Sequence, residues 1–163
     1  MRPEIAVLID RTVGPLIYPL HRWLYRATGG AIGGSSPVGP MLLLTTRGRR
    51  SGEPRTVPLL YMPDGDRWVV VGSNGGRPNP PAWLGNLRAD PEAEVQVGRA
   101  RHRVRAEILE GPARDALWER LTRFYDGWAH YQTLTNRPIP AVVLTPPRAS
   151  ARPAGEGGRE EDS

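Results

Sequence analysis

Apolar residues between positions 41 and 145 occur in short runs separated by glycine, proline and charged residues. The runs have the length of β-strands, and several are rich in valine, which favours strands. They predict six strands, at residues 41–46, 56–62, 68–72, 94–97, 104–109 and 141–144. The segments 63–66 and 98–101 have the composition of turns between strands. The pattern therefore predicts a mainly β (α+β) domain, folded as a small closed or partly closed barrel with flanking helices.

Two stretches with helical spacing interrupt this strand pattern. A short helix is predicted to begin with the apolar residues Trp83, Leu84 and Leu87 and to end at residues 88–90. A longer helix is predicted over residues 113–125, with Pro112 at its first position. Its buried stripe is predicted to be Leu117, Leu121 and Phe124.

Residues 1–40 form a separate zone in the sequence. Apolar residues from Ile5 to Leu24 recur at helical spacing with arginines between them, and Gly14, Pro15 and Pro19 predict a break into two short helices. Such helices can pack on the domain, or they can lie on an anionic membrane surface. Residues 29–39 are glycine-rich and predict a flexible linker. The predicted organisation is this zone, a barrel at 41–147, and a disordered tail at 148–163, where apolar residues are rare.

Composition excludes several kinds of site. The chain of 163 residues has no cysteine and only three scattered histidines, so neither a thiolate site nor a metal site is expected. Its formal net charge is +5, and it contains no lysine, so all 22 basic residues are arginines. No apolar run is long enough for a membrane span, and the N-terminus lacks the features of a signal peptide, so a cytoplasmic protein is expected. Neither a Gly-x-Gly-x-x-Gly fingerprint nor a phosphate-binding P-loop follows a predicted strand.

The connection between the first two strands is the strongest candidate site. Residues 45–58 read TTRGRRSGEPRTVP and bring several arginines together with Ser51 and two glycines. Guanidinium groups bind phosphate or carboxylate through two parallel hydrogen bonds, and glycines let backbone amides converge on an anion. This pattern favours an anionic, phosphate-bearing ligand over a merely solvated hairpin.

Two further segments are candidate parts of the site. The loop VGSNGGRPNPPAW at residues 71–83 follows a buried strand and can bring backbone donors close to a planar ring, although glycine and proline also occur in plain connections. The segment YDGWAHY contains Tyr125, Trp128 and Tyr131, which would share one face of a helical turn. Aromatic residues at this spacing are usually core, but they can also line a pocket for a planar substrate.

Taken together, the segments LLLTTRGRRSGEPRTVPLLY, VVVGSNGG, PAWLGNLRADP and IPAVVLTP resemble the deazaflavin-dependent nitroreductase family of actinobacteria. The resemblance covers about residues 40–146. It implies a split β-barrel related to the FMN-binding split-barrel oxidoreductases. It also implies binding of coenzyme F420, whose tail carries a phosphate and a polyglutamate.

The resemblance assigns roles to individual residues. The cofactor-binding positions are Arg49, Arg50, Ser51, Arg55, Thr56, Pro58, Ser73, Asn74, Gly75, Gly76, Ala82, Trp83 and Asn86. Asn74 stands where the best-known members have lysine. The substrate-binding positions are Tyr125, Trp128 and Tyr131, and Trp128 replaces the middle tyrosine of the family's triplet. The acceptor is expected to be a quinone or a nitroaromatic compound, a homodimer is possible, and the family's link to membrane quinones agrees with a peripheral position on the inner face of the cell membrane.

The chemistry implied is hydride transfer from the reduced deazaflavin, with the protein positioning and polarising the acceptor. A hydroxyl group can stabilise or protonate the anion that develops on the acceptor oxygen. The candidates for this catalytic role are, in order, Tyr131, Tyr125 and Ser73.

Three alternatives remain open from the sequence. The same barrel could use FMN, because its phosphate is also anionic. A basic barrel could bind nucleic acid, although the charge is spread along the chain and accompanied by 17 acidic residues. The chain could also bind the cofactor without turnover.

Overall fold

The computed structural model describes residues 14–147, with side chains from residue 19 onward. Four α-helices are present in this part of the chain: α1 (Gly14–Thr28), α2 (Ala82–Ala89), α3 (Gly111–Phe124) and α4 (Gly127–Thr133). Seven strands are present: β1 (Ser35–Ser36), β2 (Gly39–Arg47), β3 (Pro54–Asp64), β4 (Arg67–Val71), β5 (Glu92–Val97), β6 (Ala100–Leu109) and β7 (Ala141–Thr145). The six predicted strands and the helices after β4 and β6 are therefore confirmed, with boundaries shifted by a few residues.

The sheet closes into a barrel. Its strand order is β1-β2-β3-β4-β7-β6-β5, and β2 also pairs with β5, with Leu44 opposite Val95. All pairings are antiparallel. This closed antiparallel barrel with flanking helices is the split-barrel architecture expected from the sequence.

Two apolar cores lie on opposite faces of the strands. The barrel interior holds alternate residues of the strands, such as Leu42 and Leu44 of β2, and α2 inserts Leu84 and Leu87 against them. The outer face of β4 and β7 is covered by α3 and α4, which contribute Leu121 and Trp128. Strands β4 and β7 are consequently buried on both sides, which explains their continuous valine runs.

Helix α1 is attached to the barrel by Tyr25, which is fully buried. Its hydroxyl accepts the Gly98 N–H at 2.9 Å and lies 3.0 Å from the carbonyl oxygen of Met41. The predicted break at Pro19 is wrong, because α1 continues through that residue. A proline costs the helix one backbone hydrogen bond, and the contacts of the following turns hold α1 in place. The rest of the predicted first helix, residues 1–13, lies outside the described residues, as does the predicted tail 148–163.

The glycine-rich segment 29–39, predicted to be a flexible linker, makes hydrogen bonds within itself and with the barrel. Gly30 N–H donates to the Tyr25 carbonyl at 2.9 Å, and Gly34 N–H donates to the Gly30 carbonyl at 3.2 Å. The short strand β1 then pairs with the start of β2. Among the described helices, none has the length and hydropathy needed to cross a membrane.

Candidate active site

A cleft lies beside strand β3 and divides into two adjoining cavities. One, of about 550 Å³, is lined mainly by apolar side chains, and we call it the apolar cavity. The other, of about 630 Å³, is lined by arginines from α1 and from the β2–β3 hairpin, and we call it the arginine cavity. Val57, Ala82 and Trp83 line both, so the two cavities share a wall. An elongated ligand with an apolar ring system and an anionic tail fits this division.

The arginine cavity concentrates positive charge. Five guanidinium groups line it, those of Arg22, Arg26, Arg49, Arg50 and Arg55. Its lining contains no acidic residue of the described chain. The salt bridges between residues 19 and 147 use other arginines, so these five have no acidic partner in that range. An anion entering the cavity would therefore meet uncompensated cations.

The β2–β3 hairpin gives this cavity its shape. Gly52 N–H donates to the Gly48 carbonyl at 2.7 Å, and Gly48 N–H donates to the Glu53 carbonyl at 2.8 Å. Gly52 has φ +72°, a conformation that strongly favours glycine. The Ser51 hydroxyl accepts from the Glu53 N–H at 3.2 Å and lies 3.4 Å from Arg55 Nη2. The tight turn thus holds its arginines on a short, well-defined loop.

Asn86 and Thr56, both predicted to bind the cofactor, have their side-chain polar groups engaged with the protein. Asn86 is buried: its Nδ2 donates to Thr46 Oγ1 at 3.0 Å, and its Oδ1 accepts from the Arg49 backbone N–H at 3.2 Å. The Thr56 hydroxyl lies 2.8 Å from that of Thr45. Both residues line the arginine cavity, and both connect its walls to one another.

The apolar cavity is bounded by β3, by the loop after β4 and by α4. The predicted residues on its wall are Pro58, Ser73, Asn74, Gly75, Ala82, Trp83, Tyr125, Trp128 and Tyr131. The rings of Tyr125 and Trp128 meet edge to face, with centroids 5.5 Å apart, and those of Tyr125 and Tyr131 are 6.4 Å apart. The structure thus brings the three aromatic residues together on one side of the cavity.

These aromatic residues do not share one helix, which corrects the prediction. Helix α3 ends at Phe124, Tyr125 has an extended backbone, and α4 begins at Gly127. Trp128 is 3% exposed and packs in the outer core, whereas the two tyrosines are half-buried. Phe124 was predicted to be buried but is 38% exposed: it is the last residue of α3, and only part of its ring is covered, by stacking on Trp128.

The turn at Asn74–Gly76 places polar groups at the cavity edge. Asn74 has φ +49°, and its side chain donates to the Asn79 carbonyl at 2.9 Å. Gly76 lies behind this turn and lines neither cavity, although it was predicted to contact the cofactor. A Cβ at Gly76 would lie 2.8 Å from that of Leu134, so the position serves close packing against α4.

Sequence reasoning missed the residue that fixes this turn. Arg137 donates through Nη2 to the Ser73 carbonyl at 2.7 Å and through Nε to the Arg77 carbonyl at 3.1 Å. Burial lowers the pKa of the Arg137 guanidinium. Gln132 in turn donates to the Arg137 carbonyl at 2.9 Å. Isolated polar residues between two helical or strand patterns carry no sequence signal for such a role.

It also missed the two arginines that α1 contributes. Arg22 Nη1 donates to the Thr56 carbonyl at 3.1 Å, and Arg26 Nη2 donates to the Thr56 hydroxyl at 2.9 Å. Both were assigned to an amphipathic segment. The available signal was their four-residue spacing, which places both on one face of the helix.

Comparison with known proteins gives a consistent result. A family model described as F420H(2)-dependent quinone reductase matches residues 18–146. The F420H(2)-dependent quinone reductase Rv1261c of Mycobacterium tuberculosis is 40% identical over 146 residues, which cover 87% of this chain and 98% of that protein.

Two solved structures show the same likeness. One, described as the structure of an F420-H2 dependent reductase (FDR-A), is 37% identical, with a TM-score of 0.59, covering 64% of this chain and 93% of that one. Another, described as a domain-swapped dimer, is 34% identical, with a TM-score of 0.62, covering 77% of this chain and 93% of that one.

Proposed function

The chain belongs to the F420H(2)-dependent quinone reductase family, and from this premise we propose that it transfers hydride from reduced coenzyme F420 to a quinone held in the apolar cavity. The observation that carries the proposal is the shared wall of Val57, Ala82 and Trp83 between the arginine cavity and the apolar cavity. A ligand with an anionic tail in the first would present its ring in the second, beside the aromatic residues.

The residues present fit the two ends of this coenzyme. Five guanidiniums that have no acidic partner among the described residues suit a tail that carries a phosphate and several carboxylates. Val57, Pro58 and Trp83 offer an apolar surface to a planar ring. The backbone of Ser73–Gly75, held from behind by Arg137, offers polar groups at the ring's edge.

Bound in this site, the reduced deazaflavin supplies the hydride, and the protein supplies position and polarity. The arginines of the arginine cavity would hold the tail, and this would limit how far the ring can move in the apolar cavity. Tyr125 and Tyr131 line the side where an acceptor would stack, so that their hydroxyls can donate to a quinone oxygen as negative charge develops on it. The buried Trp128 supports both rings from the core.

The other functions are less well supported. FMN would need fewer guanidiniums than the arginine cavity offers, and the names of the similar proteins refer to F420. A nucleic-acid site would use a continuous basic surface, whereas here seven arginines elsewhere on the described surface are paired with acidic side chains.

The direct test is steady-state oxidation of the reduced coenzyme with quinones, nitroaromatic compounds and oxygen as acceptors. We expect quinones to be reduced fastest, with nitroaromatics as adventitious substrates. Tight binding of the coenzyme without oxidation by any acceptor would mean that the chain is a carrier. Turnover with reduced FMN but not with reduced F420 would refute the proposed cofactor.

The arginines of the hairpin give a prediction on affinity. We expect Arg50→Ala and Arg55→Ala each to weaken binding of coenzyme F420 by about 1–3 kcal/mol, because each removes a charge-assisted contact. Titration of the coenzyme's fluorescence measures this. Arg67→Ala, on the remote β3–β4 turn, is the control for loss of one positive charge. Unchanged affinity in both hairpin variants would mean that the tail binds elsewhere.

We further propose that the protein associates peripherally with the inner face of the membrane. Helix α1 exposes Leu20 by 57% and Trp23 by 64%, and side chains of this type insert into the interfacial region of a bilayer. We expect Leu20→Gln combined with Trp23→Gln to reduce sedimentation with anionic vesicles while leaving the melting temperature unchanged. Equal sedimentation of both proteins would contradict the proposal.

We also propose a homodimer, which the similarity to a chain solved as a domain-swapped dimer supports. Light scattering after size-exclusion chromatography tests it. A monomer over the working concentration range would refute it.

A further inference from the structure

Arg137 is a partly buried cation that has no acidic partner among the described residues. The seven ion pairs found between residues 19 and 147 all use other arginines. Its guanidinium donates instead to two backbone carbonyls, through Nη2 to that of Ser73 at 2.7 Å and through Nε to that of Arg77 at 3.1 Å. Burying a charge without a counter-ion costs free energy, which hydrogen bonds offset only in part. Such a cost is typical of positions that a protein keeps for function.

The two carbonyls lie at the two ends of one turn. Ser73 precedes the turn Asn74–Gly76, and Arg77 follows it. Most of this segment lines the apolar cavity, whereas Arg137 lines neither the apolar cavity nor the arginine cavity. Arg137 therefore clamps the turn at both ends without forming part of the cavity wall.

The loop that carries Arg137 is tied to α4 by the amide of Gln132. Gln132 Nε2 donates to the Arg137 carbonyl at 2.9 Å and to the Thr135 carbonyl at 3.2 Å. Its Oε1 accepts from the Ile139 N–H at 3.0 Å. Gln132 directly follows Tyr131, which also lines the apolar cavity. One continuous set of hydrogen bonds thus joins the turn to the helix that carries Tyr131.

Arg114 of α3 completes this network. Its Nη2 donates to Gln132 Oε1 at 2.9 Å, and its Nε donates to the Ile139 carbonyl at 3.0 Å. The Arg114 side chain is only 12% exposed, and its guanidinium carbon lies 3.5 Å from the centroid of the Trp118 ring. All four hydrogen-bonding positions of the Gln132 amide are therefore occupied. A polar network that is fully satisfied rigidifies the elements it joins.

We propose that Arg137 is a positioning residue for hydride transfer: it sets the distance between the turn and α4, and so the width of the apolar cavity in which the acceptor meets the ring. This inference rests on the proposed function and deepens it. A misplacement of about 1 Å between reacting groups can cost about 100-fold in rate. A clamp behind the cavity wall can therefore govern turnover without touching either reactant.

The test removes the clamp and then restores it chemically. In Arg137→Ala that is fully folded by circular dichroism, we expect single-turnover oxidation of bound, reduced coenzyme F420 by a soluble naphthoquinone to slow by about 10–100-fold. A residue that serves stability alone would leave this rate unchanged in folded protein. The dissociation constant of the coenzyme should change by a smaller factor, because the arginine cavity is untouched. Ethylguanidinium has the atoms that the substitution removes, so adding it should restore part of the lost rate.

Two variants test the same network with smaller changes. Arg137→Lys keeps the charge, but an ammonium group lacks the planar fork that reaches both carbonyls, so we expect an intermediate rate. Gln132→Glu keeps the shape of the side chain but replaces its two donated hydrogen bonds by an oxygen that faces carbonyls. It should also lower the rate, and ethylguanidinium should not restore it. If Arg137→Ala does not fold, these two variants decide the question.

Arg67→Ala is the matched control for the loss of one positive charge and for the effect of the additive. Arg67 pairs with Asp64 in the hairpin between β3 and β4, outside the cleft. This variant should keep the rate of the unaltered protein, with and without ethylguanidinium.

Three outcomes would overturn the inference. The first is a full rate in folded Arg137→Ala or, where that variant does not fold, full rates in both Arg137→Lys and Gln132→Glu. The second is a lowered rate in Arg137→Ala that ethylguanidinium leaves unchanged. The third is an equal loss of rate and of coenzyme affinity, which would make Arg137 a support of coenzyme binding. The proposed function fails separately, if the unaltered protein oxidises the reduced coenzyme with no acceptor.

Discussion

Replacing Gly76 by alanine is expected to destabilise the protein by about 2–5 kcal/mol. Gly76 has φ +74°, and an L-residue in that conformation costs about 1–2 kcal/mol. A Cβ there would also lie 2.8 Å from Leu134 Cβ and 2.9 Å from the Tyr131 carbonyl oxygen. Overpacking of this kind costs about 1–3 kcal/mol, so the two effects together give the expected range.

Urea denaturation measures the change in the free energy of unfolding, and Gly65→Ala is the matched control. Gly65 has φ +64°, but a Cβ there would meet nothing within 4 Å. Its substitution should therefore cost only the backbone strain, about 1–2 kcal/mol. Similar losses in the two variants would mean that α4 moves away from Gly76 without cost.

The same substitution should also reduce catalysis in the fraction that remains folded. Pushing Gly76 away from α4 would separate the turn that carries Ser73 and Asn74 from the helix that carries Tyr131. Both elements line the apolar cavity. Gly65 is in the hairpin turn between β3 and β4, outside the cleft, so its variant should keep full turnover.

The barrel was predictable because its strands carry a strong local signal. Runs such as Trp68–Val71 and Ala141–Leu144 are buried on both faces, and this burial requires the β-branched residues that mark a strand in sequence. The short hairpin connections, such as the Gly98 turn, contain residues that suit positive backbone torsions. In these segments, the strand and turn preferences of the residues predict the same structure as their burial in the folded protein requires.

The N-terminal region was not predictable in the same way, because its structure depends on distant contacts. Pro19 signals a break, yet α1 is continuous, and Tyr25 is bonded 73 residues away at Gly98. The arginines of α1 have the periodicity of any amphipathic helix. Which anion they face is set by the barrel on which the helix packs.

The candidate site shows the same division. The hairpin arginines and the aromatic residues could be identified because each group is clustered in sequence. The residues that hold the site in shape could not be identified from the sequence. Arg137 bonds to the Ser73 carbonyl, 64 residues away, and Asn86 bonds to Thr46, 40 residues away. A side chain that bonds to a distant backbone leaves no pattern in its own neighbourhood.

Tyr131→Phe is expected to lower turnover with a quinone by about 100-fold, which lies in the range of a lost general acid. Tyr131 lines the apolar cavity and is half-buried, so its hydroxyl acts in a partly dehydrated environment. Binding of the coenzyme should change little, because in the proposed site the tail is held by the arginine cavity. Single-turnover oxidation of the bound, reduced coenzyme separates the two effects.

Tyr125→Phe is the matched control, because it removes a hydroxyl from a neighbouring ring 6.4 Å away. Tyr125 has an extended backbone between two helices, whereas Tyr131 is on α4, which packs directly against the glycine turn. A phenol carried on a packed helix needs less reorganisation of its backbone in the transition state, and on this ground we expect Tyr131 to be the proton donor. If Tyr125→Phe costs more turnover than Tyr131→Phe, the two roles are reversed. If Tyr131→Phe lowers affinity and turnover equally, Tyr131 is a binding contact and the acceptor takes its proton from Ser73 or from water.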